Sequence, residues 1–263
     1  MYFTIEKTIK IESIDELLEL SKQKTFGLPG QSYDFNQNMS DIYYIPSYAT
    51  IGIFRGQAKD WELIPSSYRN KDYNLVEDKS EIVKSFKFSL DNEDFFAFAK
   101  LASEQNNGFP KGEIDQMVLA QHYGIKTPLL DWTKSIFTAI YFALDLKNED
   151  DSDKNLEPFI YHIRDERLLL VDLETFEKTE NIKLSSFVAP LPIDRRVERQ
   201  FSVFTFHPHP TEKPPKVSVD KYIISDKLFM KLWKLMKGMG FSSFHYFPDY
   251  AGLAERIKQG YMI

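Results

Sequence analysis

The stretch IGIFRGQAKDWELIPSSYR, residues 51–69, places an arginine inside an apolar run and follows it with glycine. If side chains alternate as in a strand, Arg55 shares a face with Ile51 and Ile53. A guanidinium at a strand end, backed by a glycine such as Gly56 that lets backbone or ligand approach closely, suits two-pronged recognition of a phosphate or carboxylate. The competing assignment is structural: the side chain snorkels from the strand end or pairs with an acid. Gln57 adjoins it, Ser66, Ser67 and Arg69 extend the polar set, and Trp61 and Leu63 alternate toward a core.

Three further segments carry residues of similar potential. In AQHYG, Gln121, His122 and Tyr123 fall at the end of a helix, where a histidine either answers the helix dipole or serves a site. In TPLLDWTKS, Thr127, Asp131, Trp132, Thr133 and Ser135 stand between that helix and an apolar one. Asp131 or Thr133 is placed to cap the second helix, and the same helix end offers free N–H groups to an anion. RRVERQFSVFTFH reads as a strand with Glu198, Gln200 and Ser202 on one face and Val197, Arg199, Phe201 and Val203 on the other. That arrangement would aim a carboxylate and an amide into one cleft, while Arg195, Arg196 and Arg199 solvate the segment. His207, His209 and His245 show no metal-ligand spacing, and the sequence has no P-loop, dinucleotide glycine fingerprint or nucleophile elbow.

The elements that must position these residues follow from periodicity. YFTIEKTIKIES alternates as a strand, and Ser13 with Glu16 forms a capping box for a helix with Ile14, Leu17, Leu18 and Leu20 on one face. Residues 24–48 are rich in Gly, Pro, Asn and Ser and read as a long loop. Helical patterning covers 77–90, 92–105 and 113–123, with Gly124 as C-cap, and resumes in SIFTAIYFALDL, apolar nearly all round and therefore buried. After an acidic run at 148–157, PFIYHIRD, RLLLVDLE and QFSVFTFH read as strands, HPHPTEKPPK as a loop, and DKLFMKLWKLMKGMG and YAGLAERIKQG as helices. The expectation is an α+β chain of one domain, with a helical middle segment packed on a mixed, mostly antiparallel sheet.

Composition limits the function classes. The 263 residues, 43% hydrophobic with 22 Phe and 14 Tyr, suffice for a sizeable core. A formal charge of −6 with no dominant basic block argues against an extended nucleic-acid surface, while a small basic pocket for a phosphorylated ligand stays open. Zero cysteines exclude disulfides, thiol nucleophiles and thiolate metal sites. With neither a signal-like start nor a membrane-length apolar run, the expected location is cytoplasmic.

IFRGQAKDWELIPSSYR, LAQHYGIKTPLLDWTKSIFTAIYFAL, ERQFSVFT and FPDYAGLAERI, in this order, resemble the FRG domain, a mainly bacterial family named for its Phe-Arg-Gly motif. The resemblance runs from about residue 45 to 263, leaving 1–44 as an N-terminal strand, helix and loop. Members often read Pro-Thr-Arg-Leu-Leu-Asp-Trp-Thr, whereas Lys126 and Pro128 stand here for the first Pro and the Arg. The motif order is also similar to that of ADP-ribosyltransferases, which by analogy implies an ADP-ribosyltransferase-like fold and NAD as substrate. The analogy gives Arg55 the NAD diphosphate or ribose, Thr133 or Ser135 the nicotinamide side, and Glu198 or Gln200 the ribose hydroxyl and the oxocarbenium-like transition state. Gly56, Gln57, Arg69, Gln121, His122, Tyr123, Thr127, Asp131 and Trp132 complete the implied ligand site. A bacterial toxin or anti-phage enzyme with a protein acceptor is one implied setting; a non-catalytic module that senses a nucleotide or a protein partner is the other.

Overall fold

A computed structural model describes residues 3–23, 52–69, 100–101, 110, 113–144, 158–164, 169–171, 186–188, 194–207 and 216–258. The loop read over 24–48, the helical stretches over 77–90 and 92–105 apart from a helical pair at 100–101, the acidic run and the Pro-rich segment after His207 lie outside these residues.

The first strand, β1 (Phe3–Ile11), leads into helix α1 (Ile14–Ser21). The Ser13 hydroxyl accepts the Glu16 N–H at 3.2 Å, and the Glu16 carboxylate accepts the Glu12 N–H at 2.7 Å. Leu17 and Leu20 are buried, whereas Ile14 and Leu18, expected on the same face, are exposed. The remaining strands are β2 (Phe54–Gln57), β3 (Leu129–Thr133), β4 (Phe159–Ile163), β5 (Leu169–Val171), β6 (Ser186–Val188), β7 (Ser202–Phe206) and β8 (Val217–Ile224). Among the described residues they form one eight-stranded open sheet, ordered β1-β8-β4-β2-β3-β7-β6-β5. The β1–β8 and β5–β6 pairs are parallel and every other neighbouring pair is antiparallel, so the chain is α+β with a mixed, mostly antiparallel sheet.

Helices α2 (Glu113–His122) and α3 (Ile136–Ala143) come from the segments expected to be helical. Gly124, at φ +87°, ends α2: its N–H reaches the Gln121 carbonyl, and the Ile125 N–H reaches the Ala120 carbonyl, each at 3.0 Å. This double bond pattern needs a left-handed residue, which glycine supplies without steric cost. Helix α3 buries Ile136, Thr138, Ala139, Ile140, Tyr141 and Ala143 and lies on β2 with Phe54 and Ile160 beneath it. Helix α4 (Arg195–Arg199) precedes β7, and α5 (Asp226–Gly238), α6 (Ser243–Tyr246) and α7 (Tyr250–Lys258) follow β8. In α5, Leu228, Leu232 and Met236 recur every four residues and close the core on the α3 side. A second cluster, including Ile53, Trp132, Tyr161 and Val203, covers the other face of the sheet; a third joins α2 to Leu129, Phe204 and Phe206.

One expected element is corrected. Residues 195–199, read as part of a strand, are helical: the Asp194 carboxylate caps them by accepting the Val197 N–H at 2.8 Å. Phe201 then takes a left-handed backbone conformation at φ 51°, and the strand begins at Ser202. Glu198 therefore stands exposed on a short helix and does not face a cleft from a strand.

Two histidines couple this core to pH. Burial lowers the pKa of His207 to about 3, and burial followed by the charge of Arg164 lowers that of His162 to about 4. Both bind protons more readily when unfolded, so their contribution is whole above pH about 6.5 and is lost as pH falls toward the folded values. Each is expected to remove about 1.4 kcal/mol of stability per pH unit over most of that window. Urea midpoints measured from pH 7 to pH 5, before carboxylates titrate, should fall steadily; a flat profile contradicts neutral burial.

Candidate functional site

Strand β2 pairs with β4 through four residue pairs, Phe54–His162 to Gln57–Phe159, but with β3 only through Phe54–Thr133. Beyond that pair the two strands part, and the Arg55 side chain spans the gap. Its Nη1 donates to the Asp131 carbonyl at 2.7 Å, and its Nε to Gln57 Oε1 at 3.1 Å. Gln57, itself buried, is fixed by donating to the Trp61 carbonyl at 2.9 Å. The guanidinium thus replaces ladder bonds that the parted strands cannot make.

Over this split lies a pocket of about 290 Å³ lined by Phe54, Arg55, Gly56, Gln121, His122, Asp131, Trp132, Thr133, Thr138, Phe142, Arg196, Gln200, Ser202 and Phe247. Gly56 admits α3 to the strand: a Cβ there would lie 1.8 Å from the Ala139 carbonyl oxygen. Helix α3 in turn brings Thr138 and Phe142 to the wall.

The polar wall is a connected set. Thr127 donates its hydroxyl to Gln121 Oε1, and Gln121 Nε2 donates to Asp131 Oδ1 at 2.7 Å. Asp131 Oδ2 lies 3.8 Å from Arg55 Nη1, the Arg55 side chain being 17% exposed and that of Asp131 49%. Burial lowers the Arg55 pKa, with the charges of Asp131 and Tyr161 opposing, but a guanidinium stays charged at neutral pH. At 3.8 Å the ion pair exceeds the 2.7–2.9 Å of a charge-assisted hydrogen bond. Arg55 is therefore a largely buried cation with incomplete compensation, and its Nη2 makes no hydrogen bond among the described residues.

On the opposite side, His122 Nδ1 contacts Asp194 Oδ2 at 2.7 Å. Arg196 donates through Nη1 to the His122 carbonyl at 2.5 Å and through Nε to Asp249 at 3.0 Å, with its Nη2 on the same carboxylate. Its guanidinium lies 5.6 Å from the Tyr123 ring centre and 5.4 Å from that of Phe247. Asp249 accepts the Gly252 N–H at 2.8 Å, so this one arginine ties α2, α4 and the start of α7 together. Gln200 enters the wall with its Nε2 donating to the Tyr246 carbonyl at 3.1 Å, while its own carbonyl accepts the Thr133 hydroxyl at 2.7 Å.

Of the residues singled out in the sequence, Arg55, Gly56, Gln121, His122, Asp131, Trp132, Thr133 and Gln200 meet in this one pocket. Others do not line it. Gln57 and Thr127 hold Arg55 and Gln121 from behind. Tyr123 is exposed beside Arg196, Arg69 folds back on the Ile64 carbonyl, and Glu198 faces outward. Neither Asp131 nor Thr133 caps α3; Ser135 does, accepting the Thr138 N–H at 3.3 Å. Ser135→Ala is expected to cost about 1 kcal/mol in a urea titration, the usual loss for an N-cap, and to leave the pocket intact. Among the described residues no three His, Asp or Glu side chains gather to hold a metal, and no helix is long and apolar enough to cross a membrane.

The sequence reading missed Phe54, Thr138, Phe142, Arg196 and Phe247 in the wall and Asp194 behind His122. An Asp three residues ahead of Val197 is a cap signal, but α4 has only five residues, too few to show a helical period.

Residues 50–152 match the family model of the FRG domain. The match contains β2, α2, β3 and α3, hence the pocket residues from Phe54 to Phe142, while Arg196, Gln200, Ser202 and Phe247 come from beyond it. No curated protein and no solved structure matches the chain.

Proposed function

We propose that the pocket binds an anionic, nucleotide-type ligand with Arg55 as its anchor. The observation that carries this is the buried guanidinium in the strand split, held on two sides and short of a close carboxylate partner. An anionic ligand oxygen would supply the missing charge and take the remaining N–H groups. Phe54, Phe142 and Phe247 offer an apolar wall to a ring, and Gln121, Gln200 and Ser202 offer polar groups to a sugar. At about 290 Å³ the pocket lies just below the range of ligand pockets, about 300–1,000 Å³, with room for one ring with its sugar and phosphate, so one half of a dinucleotide such as NAD would sit inside it and the other outside.

The finer reading is an ADP-ribosyltransferase-like enzyme acting on NAD in the cytoplasm, in a bacterial toxin or anti-phage setting and with a protein acceptor. Glu198 has no part in it. The carboxylate beside the sugar is Asp131, half exposed, with Oδ1 on Gln121 and Oδ2 turned toward Arg55. A fixed negative charge there favours an oxocarbenium-like transition state, and a carboxylate oxygen accepts a ribose hydroxyl. The test is incubation of labelled NAD with the protein and cell extract, wild type beside Arg55→Ala. Wild type is expected to release nicotinamide or label an acceptor, and Arg55→Ala to lose both; folded wild type inert across many acceptors contradicts turnover.

A second reading is a sensing module without turnover. It is favoured by Gln200, a neutral amide already engaged with Tyr246, standing where the motif order calls for a carboxylate. It gives NAD-induced thermal stabilisation with no nicotinamide release.

A further inference from the structure

Anchoring by Arg55 leaves the His122 ring in the pocket wall unexplained. The His122 side chain is 7% exposed, its Nδ1 lies 2.7 Å from Asp194 Oδ2, and its Nε2 is buried with no hydrogen-bond partner among the described residues. Buried polar atoms in folded proteins are nearly always paired, so an orphan nitrogen on a residue that lines the pocket calls for an explanation.

Asp194 decides which ring nitrogen carries the proton. Its Oδ1 accepts the Val197 N–H at 2.8 Å. Burial alone would raise its pKa, but hydrogen bonding and charge from His122, with the N–H groups of Val197 and Arg196, hold it below the usual carboxylate value. An ionised carboxylate only accepts, so Nδ1–H of His122 donates to it. In the neutral ring Nε2 then bears a lone pair. The Arg196 bond to the His122 carbonyl fixes the backbone at the same point.

We infer that His122 is the proton acceptor of this pocket, held in its tautomer by Asp194, and that it takes its proton from the hydroxyl, of water or of an acceptor side chain, that attacks the bound ligand. The inference rests on the reading that the ligand is NAD. In the step, the hydroxyl O–H bond breaks, the proton passes to the Nε2 lone pair, and the oxygen electron pair forms a bond to the anomeric carbon of the nicotinamide ribose. The carbon–nitrogen bond to nicotinamide breaks, and its electron pair neutralises the pyridinium nitrogen. Asp194 acts through His122 and is a positioning residue. The charged groups around the ring are Asp194 and Arg196 of α4, Asp249 through Arg196, and Arg55 with Asp131 from the other strands of the wall.

The test is the pH dependence of nicotinamide release by wild type, His122→Gln and Asp194→Asn, with nitrogen NMR of histidine-labelled protein reading the tautomer. The wild-type rate should rise tenfold per pH unit along its acid limb, and NMR should show Nδ1 protonated and Nε2 bare. His122→Gln should keep NAD-induced thermal stabilisation but lose the limb and at least about 100-fold in rate. Asp194→Asn still caps α4, so it should fold, bind NAD and release nicotinamide at least about 100-fold more slowly with a shifted limb. An active wild type whose limb survives in His122→Gln overturns the inference and leaves the NAD reading standing. A wild type that releases no nicotinamide, whether or not it binds NAD, overturns the enzyme reading and the inference with it. Nε2 protonated with Nδ1 bare overturns the Asp194–His122 pairing alone, whatever the turnover, and with it the inference.

Discussion

Gly56→Ala is expected to lower stability by about 3 kcal/mol or more, at or beyond the upper end for overpacked cores. The added Cβ would lie 1.8 Å from the Ala139 carbonyl oxygen and 2.7 Å from both the Ala139 carbonyl carbon and the Ala143 nitrogen. All three atoms are α3 backbone, which cannot turn aside as a side chain can. The helix would have to rise from β2, opening the cluster of Phe54, Ala139, Ile140, Ala143 and Ile160. Against a total of about 5–15 kcal/mol, that is a large fraction of the fold's stability. Gly238→Ala is the control: apart from its own helix backbone and chain neighbours, no atom of the described residues lies within 4 Å of its Cβ, and in a helix alanine is favoured by up to about 1 kcal/mol. Urea denaturation of both variants decides the point, and a Gly56→Ala midpoint equal to wild type contradicts the close crossing of α3 over β2. Because α3 also carries Thr138 and Phe142, a folded Gly56→Ala would bring a reshaped pocket.

Arg55→Lys is expected to weaken nucleotide binding by at least about tenfold, and Arg55→Ala by about 100-fold. A hydrogen bond to a charged group contributes about 1.5–3 kcal/mol, and each 1.4 kcal/mol is a factor of ten. Lysine keeps the charge but not the fork, so it cannot hold Gln57 and the Asp131 carbonyl while also engaging a ligand. Alanine removes both. Each variant also leaves polar groups of the strand split unpaired, so binding is to be compared at a temperature where circular dichroism shows both folded. Loss of fold with unchanged affinity in the folded fraction would assign Arg55 a structural role alone.

How far the sequence carries this account depends on how local each signal is. Gly124 marks the end of α2 because only a left-handed residue completes that cap, and the apolar run from Ile136 marks a buried helix wherever it packs. Arg55 stood out because a cation in an apolar run needs a partner, though its partners are Gln57 and a carbonyl rather than an acid in close contact. Glu198 went astray for an equally physical reason. Glu-Arg-Gln-Phe-Ser alternates like a strand, and nothing local announces that Phe201, a bulky residue, adopts a left-handed turn that begins the strand only at Ser202. The parting of β2 from β3 has no sequence signature at all, since register between distant segments is set by the whole sheet. Arg196 and Phe247 reach the pocket through the same long-range assembly.

The most direct measurement is a calorimetric titration of NAD and of ADP-ribose into folded wild type and folded Arg55→Lys, at low salt and again at high salt. A pocket anchored on the Arg55 guanidinium predicts one saturable site in wild type, weakened at least about tenfold by Arg55→Lys, the loss expected for an impaired charge-assisted contact. Wild type that binds neither compound, or binds them as tightly after Arg55→Lys, contradicts the assignment of this strand split as a nucleotide site.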